Sequence, residues 1–138
     1  MKECVFMLSG QVVPKKNSRQ LFYRNGRMIN IPSKRYQEWH DNCLDQLEVL
    51  RIPKLNPPYH ITYSFWMKDR RTKDLDNLIA SCNDLLKDAK IIQDDDSKLL
   101  TEIHAYYKGV SKESPRVKID ISAEYDKPGD SYVKLAID

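Results

Sequence analysis

The sequence predicts a single α+β domain over residues 1–138, a mostly antiparallel or mixed sheet with two main helices laid against it. Three observations carry that prediction. Runs of two-residue apolar alternation are interrupted by two runs of helical apolar spacing, no repeat or low-complexity tract divides the chain, and 138 residues suffice for one ordinary core.

Val5 to Val13 reads as the first strand and leads into a polar basic loop, Pro14-Lys15-Lys16-Asn17-Ser18-Arg19. Gln20 to Ile31 reads as a hairpin, because Asn25-Gly26 supplies the positive φ angles of a tight turn. Ser33 is a candidate N-cap for a helix in which Tyr36, Trp39, His40, Cys43, Leu47 and Leu50 recur at helical spacing. Pro53 and the pair Pro57-Pro58 end that helix and form a connection. From Tyr59 to Met67 the apolar residues alternate with His60, Thr62 and Ser64, which is the period of a strand. A basic run, Lys68 to Lys73, then precedes a second helix that begins near Asp74 or Asp76 and carries Leu75, Leu78, Ile79, Cys82, Leu85 and Leu86 on one stripe. Two strands follow: Leu99, Thr101, Ile103, Ala105 and Tyr107 line one face of the first, and Val117, Ile119, Ile121, Ala123 and Tyr125 one face of the second. Gly109 to Pro115 reads as the turn between them. The core spans about residues 5–124, and the tail 125–138 reads either as an edge strand or as a dimer contact.

Composition narrows the function classes. No apolar run approaches the length of a membrane span. The start, Met1-Lys2-Glu3-Cys4-Val5-Phe6, has too short an apolar stretch for a signal peptide, so the expected location is the cytoplasm. Cys4, Cys43 and Cys82 are odd in number and lack zinc-site spacing, as expected of buried thiols in a reducing compartment. Net charge is only +3, but its distribution is one-sided. Between Cys4 and Gln37 there is no acid, while Lys15, Lys16, Arg19, Arg24, Arg27, Lys34 and Arg35 all fall there, the footprint of an anionic partner such as a phosphate backbone.

The acids are the chemical centre. Asp74 and Asp76 stand at i and i+2, where extended or N-cap geometry projects both to one side, near a helix N-terminus whose dipole favours negative charge. Asn77 is a hydrogen-bonding neighbour. Asp94-Asp95-Asp96 follow the second helix. A helix from about Asp76 to Asp88 is roughly 20 Å long. An extended return from Lys90 to Asp96 also spans roughly 20 Å, so the lengths favour convergence of the two acidic segments. Carboxylates at one point repel unless a cation sits among them, and hard oxygen ligands suit magnesium or manganese. Taken singly, Asp74 reads as a helix cap and Asp94 to Asp96 as a solvated turn. Together, inside a basic surround of Lys68, Arg70, Arg71 and Lys73, they suit phosphodiester cleavage. His40, His60 and His104 lack metal-ligand spacing and read as surface or core residues. Tyr23, Trp39, Trp66 and Tyr106-Tyr107 are of the type that stacks on unpaired bases, although core packing is the favoured reading for most.

Lys73-Asp74-Leu75-Asp76-Asn77-Leu78-Ile79, a helix, and then Asp95-Asp96-Ser97-Lys98-Leu99 resemble the signature of the RusA family of Holliday junction resolvases. The opening, Val13-Pro14-Lys15-Lys16-Asn17 with a hairpin and a helix bearing Ser33, Tyr36 and Trp39, is similar too, so the resemblance covers roughly residues 5 to 124. It implies a homodimeric α+β nuclease that cuts four-way DNA junctions with Mg2+ or Mn2+. Its catalytic, metal-binding acids map to Asp74, Asp76 and one of the later cluster. Matching by Ser97-Lys98 selects Asp96, the preferred choice, and ungapped counting from Asp76 selects Asp95. Lys15, Lys16, Arg19, Arg70, Arg71 and Lys73 are the expected DNA-binding residues. One departure stands out: relatives often carry a lysine one turn after the second acid, and here that place is Ala80, leaving either Lys73 as substitute or weaker catalysis. The competing readings are a non-catalytic junction-binding module, a nuclease for flaps or forks, and an interaction protein whose acids are only caps and turns.

Overall fold

A computed structural model describes residues 2–15, 19–71, 74–125 and 132–134. In chain order its elements are β1 (Lys2–Ser9), β2 (Arg19–Arg24), β3 (Arg27–Pro32), α1 (Lys34–Leu50), β4 (Leu55–Met67), α2 (Leu75–Asp88), β5 (Leu100–Val110), β6 (Arg116–Tyr125) and β7 (Tyr132–Lys134). Five strands make one mixed sheet in the order β5-β4-β6-β1-β7, while β2 and β3 pair separately as a hairpin. β6 is antiparallel to β1 and β4; β5 runs parallel to β4, and β7 parallel to β1.

Most elements form where the residues dictate. Asn25 and Gly26 both take positive φ, 52° and 75°, and close the β2–β3 turn. Ser33 caps α1, its hydroxyl accepting from the Tyr36 amide at 3.2 Å. Tyr59, Ile61, Tyr63, Phe65 and Met67 of β4 are buried, as are Val117, Ile119, Ile121 and Ala123 of β6 and Cys4, Phe6 and Leu8 of β1. Onto that face α1 lays Tyr36, Trp39, Cys43 and Leu47, and α2 lays Leu78, Cys82, Leu85 and Leu86. All three thiols are free and buried, and burial pushes the Cys43 thiol up to about 12 and raises that of Cys82 as well. No helix among the described residues is long and apolar enough to cross a membrane.

Four expectations need correction. The first strand stops at Ser9, because Gly10 turns at φ 102° and donates its amide to the Pro115 carbonyl, although Val12 and Val13 remain buried. β4 begins at Leu55 and runs through Pro57-Pro58, which sequence had assigned to a connection. Its register against β6 shifts between Asn56 and His60, because prolines offer no ladder donor there. β5 and β6 do not pair with each other. They flank β4 on opposite sides, and residues 111–115 pass over its end, where the Ser111 amide bonds the Met67 carbonyl at 2.7 Å. β5 is therefore an edge strand, and Thr101, Ile103 and Tyr107 are exposed rather than lining a core face. In the tail, 132–134 form an edge strand beside β1.

The crossover from β4 through α2 to β5 sets the polarity of the molecule. β1, β4 and β5 all point the same way, so Ser9, Lys68 and Val110 share one end of the sheet. The α2 N-terminus follows the end of β4 by a short loop and lies at that carboxyl end, the usual place for ligands in parallel segments.

The opposite face of the sheet holds an unusual carboxyl. Burial, and then the hydrogen bond and charge of Glu3, raise Asp120 from the ordinary 3.8 to about 7. A raised carboxyl contributes stability that is full below its unfolded value and is lost as pH climbs through the interval up to about 7. Asp120→Asn should therefore be more stabilising, relative to the parent protein, at pH 8 than at pH 5 in urea melts. An equal difference at both pH values contradicts this origin.

Candidate active site

α2 is seated by polar contacts as well as by its apolar stripe. Ser81, fully buried, donates its hydroxyl to the Val13 carbonyl at 2.8 Å and accepts the Lys15 amide at 3.0 Å. The basic loop after β1 is thereby fastened to the middle of α2. On the sheet side the Tyr63 hydroxyl donates to Asn83 Oδ1 at 2.6 Å, with both side chains buried. At the far end the chain turns sharply: Lys90 takes φ 61°, and the Ile91 and Ile92 amides both bond the Leu86 carbonyl.

Asp74 is the α2 N-cap residue, extended at φ −72° and ψ 129°, and its backbone carbonyl accepts the Asn77 and Leu78 amides. Its side chain makes no cap bond. Asp76 lies exposed in the first turn. Among the described residues neither carboxylate has an ion-pair or hydrogen-bond partner. Two hard oxygen donors thus stand together at a positive helix end, uncommitted to the protein. Asn77 behind them is buried.

The later acids are not beside them. Residues 91–99 form bends and a turn rather than the expected extended strand, because the Leu86 carbonyl and the left-handed Lys90 fold the chain back at once. Asp95 lies against the last turns of α2, its Oδ1 3.2 Å from Lys87 Nζ. Asp96 Oδ1 accepts the Lys98 amide at 2.7 Å and its carbonyl accepts the Leu99 and Leu100 amides, so it caps the turn into β5. Asp94 Oδ1 accepts the Asp95 amide. Among the described residues no three His, Cys, Asp or Glu side chains group around a metal-sized point.

A second constellation went unnoticed in the sequence. Lys87 Nζ lies 3.3 Å from Asp84 and 3.2 Å from Asp95, while Lys15 Nζ lies 3.6 Å from the other oxygen of Asp84. Burial lowers the Lys87 ammonium, but its hydrogen bonds to Asp95 and Asp84 outweigh that and leave it raised. Lys15 also sits 5.7 Å above the Tyr36 ring. The signal was present: Asn77, Ser81 and Asp84 recur at i, i+4 and i+7, a polar stripe beside the apolar one.

Of the expected DNA-binding residues, Lys15 is half-buried in that ion chain. Arg70 and Arg71 are exposed in the loop before α2, and the Arg71 amide bonds Asp69 Oδ1 at 2.9 Å. Arg19 opens β2. Lys16 and Lys73 lie outside the described residues. Trp39 belongs to the core, whereas Trp66 is covered by the Arg116 guanidinium 4.2 Å from its ring centre. The histidines are surface partners of acids: His40 with Asp88, and His60 and His104 with Glu102.

Neutral and charged contacts here differ in worth. Ser81→Ala leaves a buried carbonyl and a buried amide unpaired and should cost about 1–3 kcal/mol. Lys87→Met breaks partly exposed ion pairs and should cost less than about 1 kcal/mol. Urea denaturation of both variants checks the order, and a reversed order contradicts the seating described above.

Comparison with known proteins points to a family. A search of curated proteins returned no match. The family model described as Endodeoxyribonuclease RusA matches residues 10–122, which contain the basic loop, both helices and the acids Asp74, Asp76, Asp84 and Asp94 to Asp96. The match covers most of the chain, and with the α+β sheet and its two helices it shows that this protein belongs to the RusA endodeoxyribonuclease family.

Proposed function

We propose that the protein resolves four-way DNA junctions by metal-assisted hydrolysis, with Asp74 and Asp76 as the cation ligands. The observation that carries this reading is the pair of uncommitted carboxylates at the α2 N-terminus, at the carboxyl end of the parallel strands and next to Arg70 and Arg71. Its donors are hard oxygens at i and i+2, a set that suits Mg2+ or Mn2+. When bound, such an ion supplies a polarised phosphoryl oxygen and an activated water.

The chain's own residues have distinct tasks. Asp74 and Asp76 hold the cation and through it the scissile phosphate. Arg70 and Arg71 contact adjacent phosphates from an exposed loop, Arg71 exchanging its 3.9 Å pairing with Asp69 for the phosphate. Lys15 holds Asp84, and Lys87 holds Asp84 and Asp95, so those acids are already neutralised. Neither Asp95 nor Asp96 is assigned to the Asp74–Asp76 cation in the same chain. Of the two, Asp95 faces α2, which makes it the better candidate for a supporting role. Ala80 leaves an exposed gap on α2 between Asp76 and Asp84, the stretch from which a lysine would serve the acids.

Paired nicks on opposed strands call for two active sites, and a homodimer supplies them. The outer edge of β5, unpaired among the described residues, supports this, with Ile103, Tyr106, Tyr107 and Val110 all exposed along that strand. Sedimentation as a monomer at micromolar concentration would argue against it. A role in recombination and repair follows from such a substrate.

The test is a synthetic four-way junction incubated with protein and Mg2+, beside flap and fork substrates. Nicking should favour the junction and should fall at least 100-fold in Asp74→Asn and in Asp76→Asn. Unchanged nicking by either variant overturns the ligand assignment, and equal cleavage of flaps overturns the junction preference.

A further inference from the structure

A groove of about 440 Å³ lies at the same end of the sheet as Asp74 and Asp76. Its walls are Ser9, Gly10 and Gln11 after β1, Arg35, Trp39 and Asn42 on α1, and Lys68 at the end of β4. That volume falls within the roughly 300–1,000 Å³ of ordinary small-ligand sites. The walls are organised by the protein. Gln46 bonds the Ser9 amide at 2.9 Å and the Ser9 carbonyl at 3.0 Å, and it receives support from Asn42 at 2.7 Å. The Lys68 amide donates to Gln11 Oε1 at 2.6 Å, tying the β4 end to the loop after β1.

The groove is rich in donors and poor in free acceptors. Among the described residues no ion pair engages the Arg35 guanidinium or the Lys68 ammonium. The one acid on the rim, Glu38, pairs with Lys34 at 3.8 Å. Trp39 is 93% buried by its 7% exposure, yet its indole Nε1–H has no acceptor. The same edge of the ring faces Gly10, where a Cβ would stand 3.9 Å from Trp39 Cδ1, the atom bonded to Nε1. Buried donors without acceptors are rare, and here one adjoins a groove whose charges select an anion.

We propose that this groove binds one nucleotide of the substrate strand next to the scissile phosphate. Arg35 and Lys68 take its phosphate, and the Trp39 edge donates to a carbonyl of its base. A nucleotide matches the groove better than a simple anion does, because the cations lie at the rim while the unpaired donor sits deeper. The assignment rests on the nuclease reading for the identity of the strand, since Lys68 begins the loop that ends at Asp74.

The experiment uses the full chain carrying Trp66→Phe, in which Trp39 is the remaining one of two tryptophans. The probe is the dinucleotide pTpT, with inorganic phosphate as a parallel titrant. Expected is a saturable change in Trp39 emission with pTpT, at least tenfold weaker binding in Arg35→Gln/Lys68→Gln, and a much smaller response to phosphate. Trp39→Phe, which keeps an aromatic ring but removes the N–H donor, should weaken pTpT binding at least threefold by calorimetry. No saturable change, a response that survives the double substitution, or an equal response to phosphate overturns the proposal. The readout needs no cleavage. Binding of pTpT by a protein that never nicks a junction would overturn the nuclease reading and leave the groove standing, and nicking with a silent groove would do the reverse.

Discussion

The seating of α2 on the sheet is the constraint on which everything else depends. Ser81 fastens the helix to the loop after β1, and Asn83 fastens it to Tyr63 in the centre of β4. Around these bonds Leu78, Cys82, Leu85 and Leu86 bury the apolar stripe. A helix held this way can keep charge at its exposed N-terminus without local compensation. The packing and polar anchors lie along the middle of α2, and its N-terminal end carries none of them.

That division accounts for the two fates of the acids. Asp84 and Asp95 lie against half-buried lysines, where unpaired charge would be costly, and each has an ammonium within 3.6 Å. Asp74 and Asp76 lie exposed at a positive helix end, with no ion-pair or hydrogen-bond partner among the described residues. Such a pair is poorly stabilised by the fold and open to a cation. Local sacrifice of electrostatic satisfaction is a common mark of a functional site.

Much of this was legible in residue order. Alternation along Tyr59 to Met67 marked the buried face of β4, Asn25-Gly26 marked the β2–β3 turn, and Ser33 marked the start of α1. The acid pair at the head of α2 was readable from spacing and from the resemblance it carries. Strand order was not. β5 and β6 are neighbours in sequence with a short link, which suits a hairpin, yet pairing is decided by which strand can be buried. β6 alternates Val117, Ile119, Ile121 and Ala123 with polar residues and takes a central place, while β5 exposes Glu102, His104, Tyr106 and Lys108 and suits an edge. The extended return after α2 is absent for a local reason. Chain length permitted an extended return, but the Leu86 carbonyl captured two amides and buried Ile91 and Ile92 close to the helix end. Length arguments bound what a chain can reach and say nothing about hydrogen bonds that shorten it.

The central claim is that the head of α2, and no other part of the molecule, receives the cation. Paramagnetic broadening of backbone amide signals by substoichiometric Mn2+, in the absence of DNA, tests it most directly. The account predicts that the amides of residues 74–77 broaden first and that Asp76→Asn removes the effect. Broadening centred instead on Asp84 and Asp95, or on the His60–Glu102–His104 cluster, would contradict it.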